Sequence, residues 1–183
     1  MKINSNIKPK CEEGTYYVWV GGSCDYGHEE RCSGGAYIME KDGKIIDEYV
    51  ISDDHTTEFR MILTVMIHAM EVIPEGSTIV FMTNVAYIQN FDKEPTGKAA
   101  NRRTFLSPTR GTEGVREQSG ACSNSALQEG GKPKVNADLI KECISLKEKH
   151  KSAAVKLVPF HKYTQLPRTH EMAHDAMIKL RNR

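Results

Sequence analysis

The sequence predicts an α/β fold: a five-stranded mixed sheet, its first three strands antiparallel, flanked by helices. Two observations carry this. Residues 16–51 hold three short runs rich in β-branched and aromatic side chains, separated by turn signals. Beyond them, helix-period apolar stripes alternate with short apolar runs. A meander followed by such alternation makes a mixed sheet with helices on its faces.

The elements follow in order. Residues 16–20 (YYVWV) read as the first strand, then come Gly21-Gly22 and a polar loop over 25–31. Residues 34–40 (GGAYIME) read as the second strand, Lys41-Asp42-Gly43 as a hairpin turn, and 44–51 (KIIDEYVI) as the third strand. Phe59, Ile62, Leu63, Met66, Ile67 and Met70 then share one helical face, with Thr56 or Thr57 placed to cap its start and Pro74 to mark its end. Residues 78–82 (TIVFM) read as a buried strand, and 85–91 as a short helix. Asn136 suits the N-cap of a helix carrying Leu139, Ile140, Cys143 and Ile144 on one face. Residues 154–158 (AVKLV) give the last strand, and Ala173, Ala176, Met177 and Leu180 a final helical stripe.

A chain of 183 residues fits one domain, here 15–183 after a polar tail at 1–14. Residues 92–134 carry Gly, Ser, Thr, Pro and charge without a period, and read as a long loop insertion. The formal net charge is +1, so any nucleic-acid signal must be local. Five irregularly spaced cysteines, an odd count, point to reduced thiols. No apolar run approaches the roughly 20 residues of a membrane span, and residues 1–14 lack the apolar core of a signal peptide. The expectation is a cytoplasmic protein with no membrane partner.

Placed on these elements, the motifs resemble the ribonuclease H family. Val20-Gly21-Gly22-Ser23-Cys24 is similar to its first-strand T-D-G-S-C, and Gly35-Ala36-Tyr37 to the start of its second strand. Glu58 opens the first helix, Thr83-Asn84 stands where the family has T-D-S, and Asn136-Ala137-Asp138-Leu139 is similar to its N-A-D-L. Val158-Pro159-Phe160-His161-Lys162 resembles its V-P-x-H-K stretch, which carries a mobile histidine, and Glu171 stands for its final acid.

The resemblance implies phosphodiester hydrolysis by two divalent ions, Mg²⁺ or Mn²⁺, about 3.5–4 Å apart, held by four acids. Here those positions are Gly21, Glu58, Asn84 and Glu171, so Glu58 and Glu171 are the surviving metal-binding acids. Ligand charge falls from about −4 to about −2 against +4, and each lost close pair is worth several kcal/mol at an effective dielectric near 20. Asp25 follows Gly21 at an even offset, but four strand residues span roughly 13 Å; it reads as capping its own turn. Where the family grips the RNA strand with amides, this chain has Asp54, His55, Val85 and Ala86. Lys98, Arg102, Arg103 and Arg110 form an acid-free basic stretch suited to phosphate contacts.

The expected function is therefore a ribonuclease H-like domain associated with nucleic acid of the RNA/DNA hybrid class, with weak or no hydrolysis. Glu58, Glu171, His161 and Asn84 would be its catalytic remnants. The alternative is a divergent but active metal-dependent hybrid endonuclease. A third reading takes His170-Glu171-Met172-Ala173-His174 as the H-E-x-x-H of a zinc peptidase, against which stands the short remaining chain for a third ligand. Cys24, His28 and Cys32 have a spacing that could hold zinc, with free thiols and a surface histidine as the plainer reading. A protein partner is compatible with all of these.

Overall fold

The computed structural model describes residues 11–92 and 136–183. Most of the 92–134 insertion, with Lys98, Arg102, Arg103 and Arg110, lies outside the described residues, as does most of the N-terminal tail. The elements are β1 (Tyr16–Cys24), β2 (Ser33–Lys41), β3 (Lys44–Asp53), α1 (Glu58–Val72), β4 (Thr78–Thr83), a 3₁₀ turn (Ala86–Asn90), α2 (Ala137–Glu148), β5 (Ser152–Leu157) and α3 (Gln165–Arg181). The sheet order is β3-β2-β1-β4-β5. β1, β2 and β3 are antiparallel neighbours, while β4 and β5 run parallel to β1. This is the five-stranded mixed α/β sheet that the sequence predicts.

β1 sits at the centre and is buried on both faces, which explains its unbroken apolar run. Successive side chains alternate between faces. Tyr16, Val18 and Val20 enter the core shared with α1 and α2. Tyr17 and Trp19 enter a second core with Ile38, Met82, Tyr163 and Leu166, the last from α3. Trp19 lies edge-on to Tyr163, with ring centroids 5.3 Å apart. Its indole nitrogen has no partner among the described residues.

The elements depart from expectation in two places. β1 continues through Gly21 and Gly22 to Cys24, because cross-strand pairing with β2 (Gly21 opposite Ala36, Gly22 opposite Gly35) outweighs the poor strand propensity of glycine. Asn136 precedes α2 but does not cap it with its side chain. Its Oδ1 instead accepts from Arg60 Nη1 at 3.0 Å, tying α2 to α1. At α1, Thr57 is the cap, its Oγ1 accepting from the Arg60 N–H at 3.3 Å.

α3 is strapped across β1 to β3 by polar contacts. Gln165 Nε2 donates to the buried Glu40 at 2.8 Å, Arg168 pairs with Glu48, and Arg181 pairs with Asp25 at 2.8 Å. The closest approach is at Gly34, where a Cβ would stand 2.0 Å from the Ala173 carbonyl oxygen. That neighbour is helix backbone, which cannot swing aside. Gly34→Ala should therefore destabilise the fold by about 3 kcal/mol or more, measured by urea unfolding. Gly43→Ala meets nothing within 4 Å, although its φ of +76° strains any other residue, and is the smaller perturbation. Equal effects at the two glycines would contradict the packing argument.

Candidate functional site

The end of β1 carries a pair of glycines that face opposite ways. Gly21 has the parity of Tyr17 and Trp19, so it looks toward α3. A Cβ there would lie 3.3 Å from Thr169 Cγ2 and 3.4 Å from the His170 nitrogen. Gly22 looks toward α1, where a Cβ would lie 2.8 Å from Glu58 Cγ and 2.9 Å from Ile62 Cγ1. The two helices have thus closed onto the strand from both sides. Beside this point lies a groove of about 260 Å³ lined by Val20, Gly21, Gly22, Glu58, Asn84, Val85, Phe160, Leu166 and His170.

The groove gathers three of the four positions that the family resemblance assigns to metal ligands: Gly21, Glu58 and Asn84. Its fourth wall comes from α3, which contributes His170. Glu171 is exposed and is not among the lining residues. The reason is helix geometry: at about 100° per residue, a one-residue step swings a side chain to a different wall. Leu166, Thr169, Ala173 and Met177 are the buried stripe of α3, and His170 flanks it. His161 is also exposed and outside the lining, with its ring edge-on to Phe160 at 4.9 Å between centroids. Val85 lines the groove, while Asp54, His55 and Ala86 do not.

Glu58 is the sole carboxylate among the described lining residues. Burial pushes its carboxyl up to about 7, opposed in part by a hydrogen bond from the Tyr87 hydroxyl. The same burial raises Tyr87, which faces Glu58, Tyr26 and Cys24. The hydroxyl of Tyr26, on the β1–β2 loop, turns in to the backbone of Glu58 and to Cys24. The Glu58 carboxyl therefore bonds the Tyr87 hydroxyl, its backbone bonds Tyr26, and no cationic neighbour shifts it.

Asp25 behaves as a loop residue. Its Oδ1 accepts from the Gly27 N–H at 3.1 Å, and Arg181 holds its carboxyl below the ordinary range. His170 and His174 stand 6.4 Å apart between ring centroids, and His174 Nδ1 meets Ser23 Oγ at 3.3 Å. Among the described residues the histidine, cysteine and acid atoms close enough to share one ion lie elsewhere, at His28, Glu30 and Cys32. The H-E-x-x-H stretch has no third ligand beside it there, as the peptidase reading requires.

The raised Glu58 links pH to stability. Between the ordinary value of 4.5 and the folded value of about 7, the folded chain keeps a proton that the unfolded chain has released. Stability therefore falls as pH rises through that window and levels off above it. Glu58→Gln abolishes this titration. The variant should gain on the parent by at most about 3 kcal/mol from about pH 4 to about pH 8, read by urea unfolding at each pH. A constant difference would mean that Glu58 titrates as an ordinary carboxylate.

No protein-family model matches the chain, and no curated protein matches it in sequence. Solved structures do. LC9-RNase H1, a type 1 RNase H with the type 2 active-site motif, is 17% identical with a TM-score of 0.61, over 93% of this chain and 75% of that one. The foamy viral protease-reverse transcriptase in complex with RNA/DNA hybrid is 14% identical with a TM-score of 0.60, over 98% of this chain but 22% of that one. RNase H1 from the halophilic archaeon Halobacterium salinarum NRC-1 is 12% identical with a TM-score of 0.52, over 91% and 99%. At such identities the likeness speaks for architecture alone, and with the strand order above it establishes that this chain has the ribonuclease H-like fold.

Proposed function

We propose that the chain binds nucleic acid of the RNA/DNA hybrid class along this groove without two-metal hydrolysis. The observation that carries the reading is the isolation of Glu58, one carboxylate in a described lining otherwise neutral or imidazole-bearing. A Mg²⁺ or Mn²⁺ pair wants several hard anionic oxygens. Gly21 gives none, Asn84 gives a neutral amide, His170 gives a nitrogen, and Glu58, raised to about 7, is about half protonated near neutral pH. An acid at Gly21 or Gly22 would also press on α3 or α1. This donor set does not fit the ion pair.

The same features favour binding. Four acids repel a phosphate backbone unless ions screen them, and a groove with one half-neutral acid needs no such screening. Asn84 can both donate and accept, and the His170 ring offers a further polar contact. We assign phosphate contacts to Lys98, Arg102, Arg103 and Arg110, outside the described residues. Two of the solved structures of like fold are complexes with RNA/DNA hybrid.

The test is hybrid binding by fluorescence anisotropy with and without EDTA, alongside a cleavage assay in millimolar Mg²⁺ or Mn²⁺. Binding should persist in EDTA, and no cleavage should appear. Replacing Lys98, Arg102, Arg103 and Arg110 together with alanine should flatten the log–log salt dependence by about 3.6. Metal-dependent cleavage lost in Glu58→Gln would establish the active-endonuclease alternative instead, and binding abolished by EDTA and restored by Mg²⁺ but not by Zn²⁺ would refute the metal-free groove.

A further inference from the structure

We infer that His28, Glu30 and Cys32, on the loop joining β1 to β2, form a binding site for one transition-metal ion of the Zn²⁺ class. The donor atoms of the three lie within 4.8 Å of one another. Cys32 Sγ and His28 Nδ1 stand 3.9 Å apart. In a tetrahedral site with Zn–S of about 2.3 Å and Zn–N of about 2.0–2.1 Å, that edge is about 3.6 Å. Sulfur and nitrogen thus stand within a few tenths of an ångström of the zinc edge, and the Glu30 N–H that donates to the same nitrogen at 3.3 Å is the contact an ion would displace. One thiolate, one imidazole and one carboxylate suit zinc or cobalt far better than Mg²⁺. Three protein ligands leave a fourth position to water.

The loop is built to hold this geometry. The Asp25 N–H donates to the Cys32 carbonyl at 2.9 Å, His28 to Asp25 at 3.2 Å, and Arg31 to His28 at 3.0 Å. Arg31 takes a left-handed φ of 44°, which turns the chain between Glu30 and Cys32. The His55 N–H donates to the Glu30 carbonyl at 2.5 Å, and Asp25 is held by Arg181. Backbone and ion pair therefore fix the loop on two sides, at the entry to α1 and at the end of α3. Burial grades across the site as an ion would need. Cys32 is wholly buried and forms the floor, His28 is half-buried, and Glu30 is exposed at the mouth. An ion has a path in.

Binding requires no redox partner. The Cys32 thiol gives its proton to solvent, its sulfur donates an electron pair to the metal, and His28 binds as neutral imidazole. The same loop carries Tyr26, whose hydroxyl reaches the Glu58 backbone. An ion here would clip the loop in place beside the groove, whatever the groove binds.

The experiment uses the full chain, freed of metal and titrated with Co²⁺ alone, then with Zn²⁺. One Co²⁺ per chain is expected, with the thiolate-to-cobalt charge-transfer band and the visible bands of tetrahedral cobalt, all bleached by Zn²⁺. His28→Ala alters a half-exposed side chain, so it spares the core, and should weaken Co²⁺ binding at least 100-fold. Cys32→Ser should remove the charge-transfer band. Cys24→Ser should leave band and stoichiometry unchanged. Circular dichroism of each variant separates ligand loss from unfolding. No charge-transfer band at one equivalent of Co²⁺, or a band that survives in His28→Ala or moves with Cys24→Ser, would overturn the assignment. None of these readouts involves nucleic acid, so they stand apart from the reading of the groove.

Discussion

Backbone touching backbone at one end of the sheet sets the arrangement of everything around the groove. Gly22 and Gly35 face each other across β1 and β2 and let α1 settle on one side, while Gly21 and Gly34 let α3 settle on the other. Any side chain at these positions would hold a helix away. The close approach fixes how far Glu58 and His170 stand from the strand, because each rides on a helix whose height is set by glycine. An acid on β1 at either glycine would press on this helix-to-sheet packing, so recovering the ligand would cost structure as well as sequence change.

Most of the architecture was legible in the sequence because the cores follow simple periods. The apolar run of β1, the Lys41-Asp42-Gly43 turn and the stripe from Phe59 to Met70 each state a period, and each element formed. Glu58, Gly21 and Asn84 were brought together in one groove because the ends of β1 and β4 and the start of α1 are fixed by long elements with unambiguous register. His170, named in the sequence only through the H-E-x-x-H stretch, is the α3 residue with a titratable side chain that lines the groove. The stripe Ala173, Ala176, Met177, Leu180 marks one face of α3. Carried back by helical steps it passes through Thr169 and Leu166, which leaves His170 about 60° from Ala173 and Glu171 about 160° away. The spacing of that stripe therefore carries the signal that puts His170, and not Glu171, beside the groove. The Asn136 side chain was misjudged because Arg60, distant in sequence, competes for it.

The groove and the β1–β2 loop are adjoining regions governed by different chemistry. In the groove, burial acts on one carboxylate and weakens its anionic character. In the loop, turns bring soft and borderline donors together around a buried thiol. Tyr26 joins the two, since it belongs to the loop and reaches toward Glu58 and Cys24. The loop is thereby tied to the entry and first turn of α1 through hydrogen bonds at His55 and Tyr26.

Trp19 is the chain's single tryptophan, and it lies sealed in the smaller core between the sheet and α3. Its ring meets Tyr163 and shares its core with Leu166, so its surroundings exist only while α3 is seated. The molecule consequently contains its own optical gauge. The colour of its ultraviolet emission reports lifting of α3 from the sheet, with no label attached and no second indole to confuse the signal.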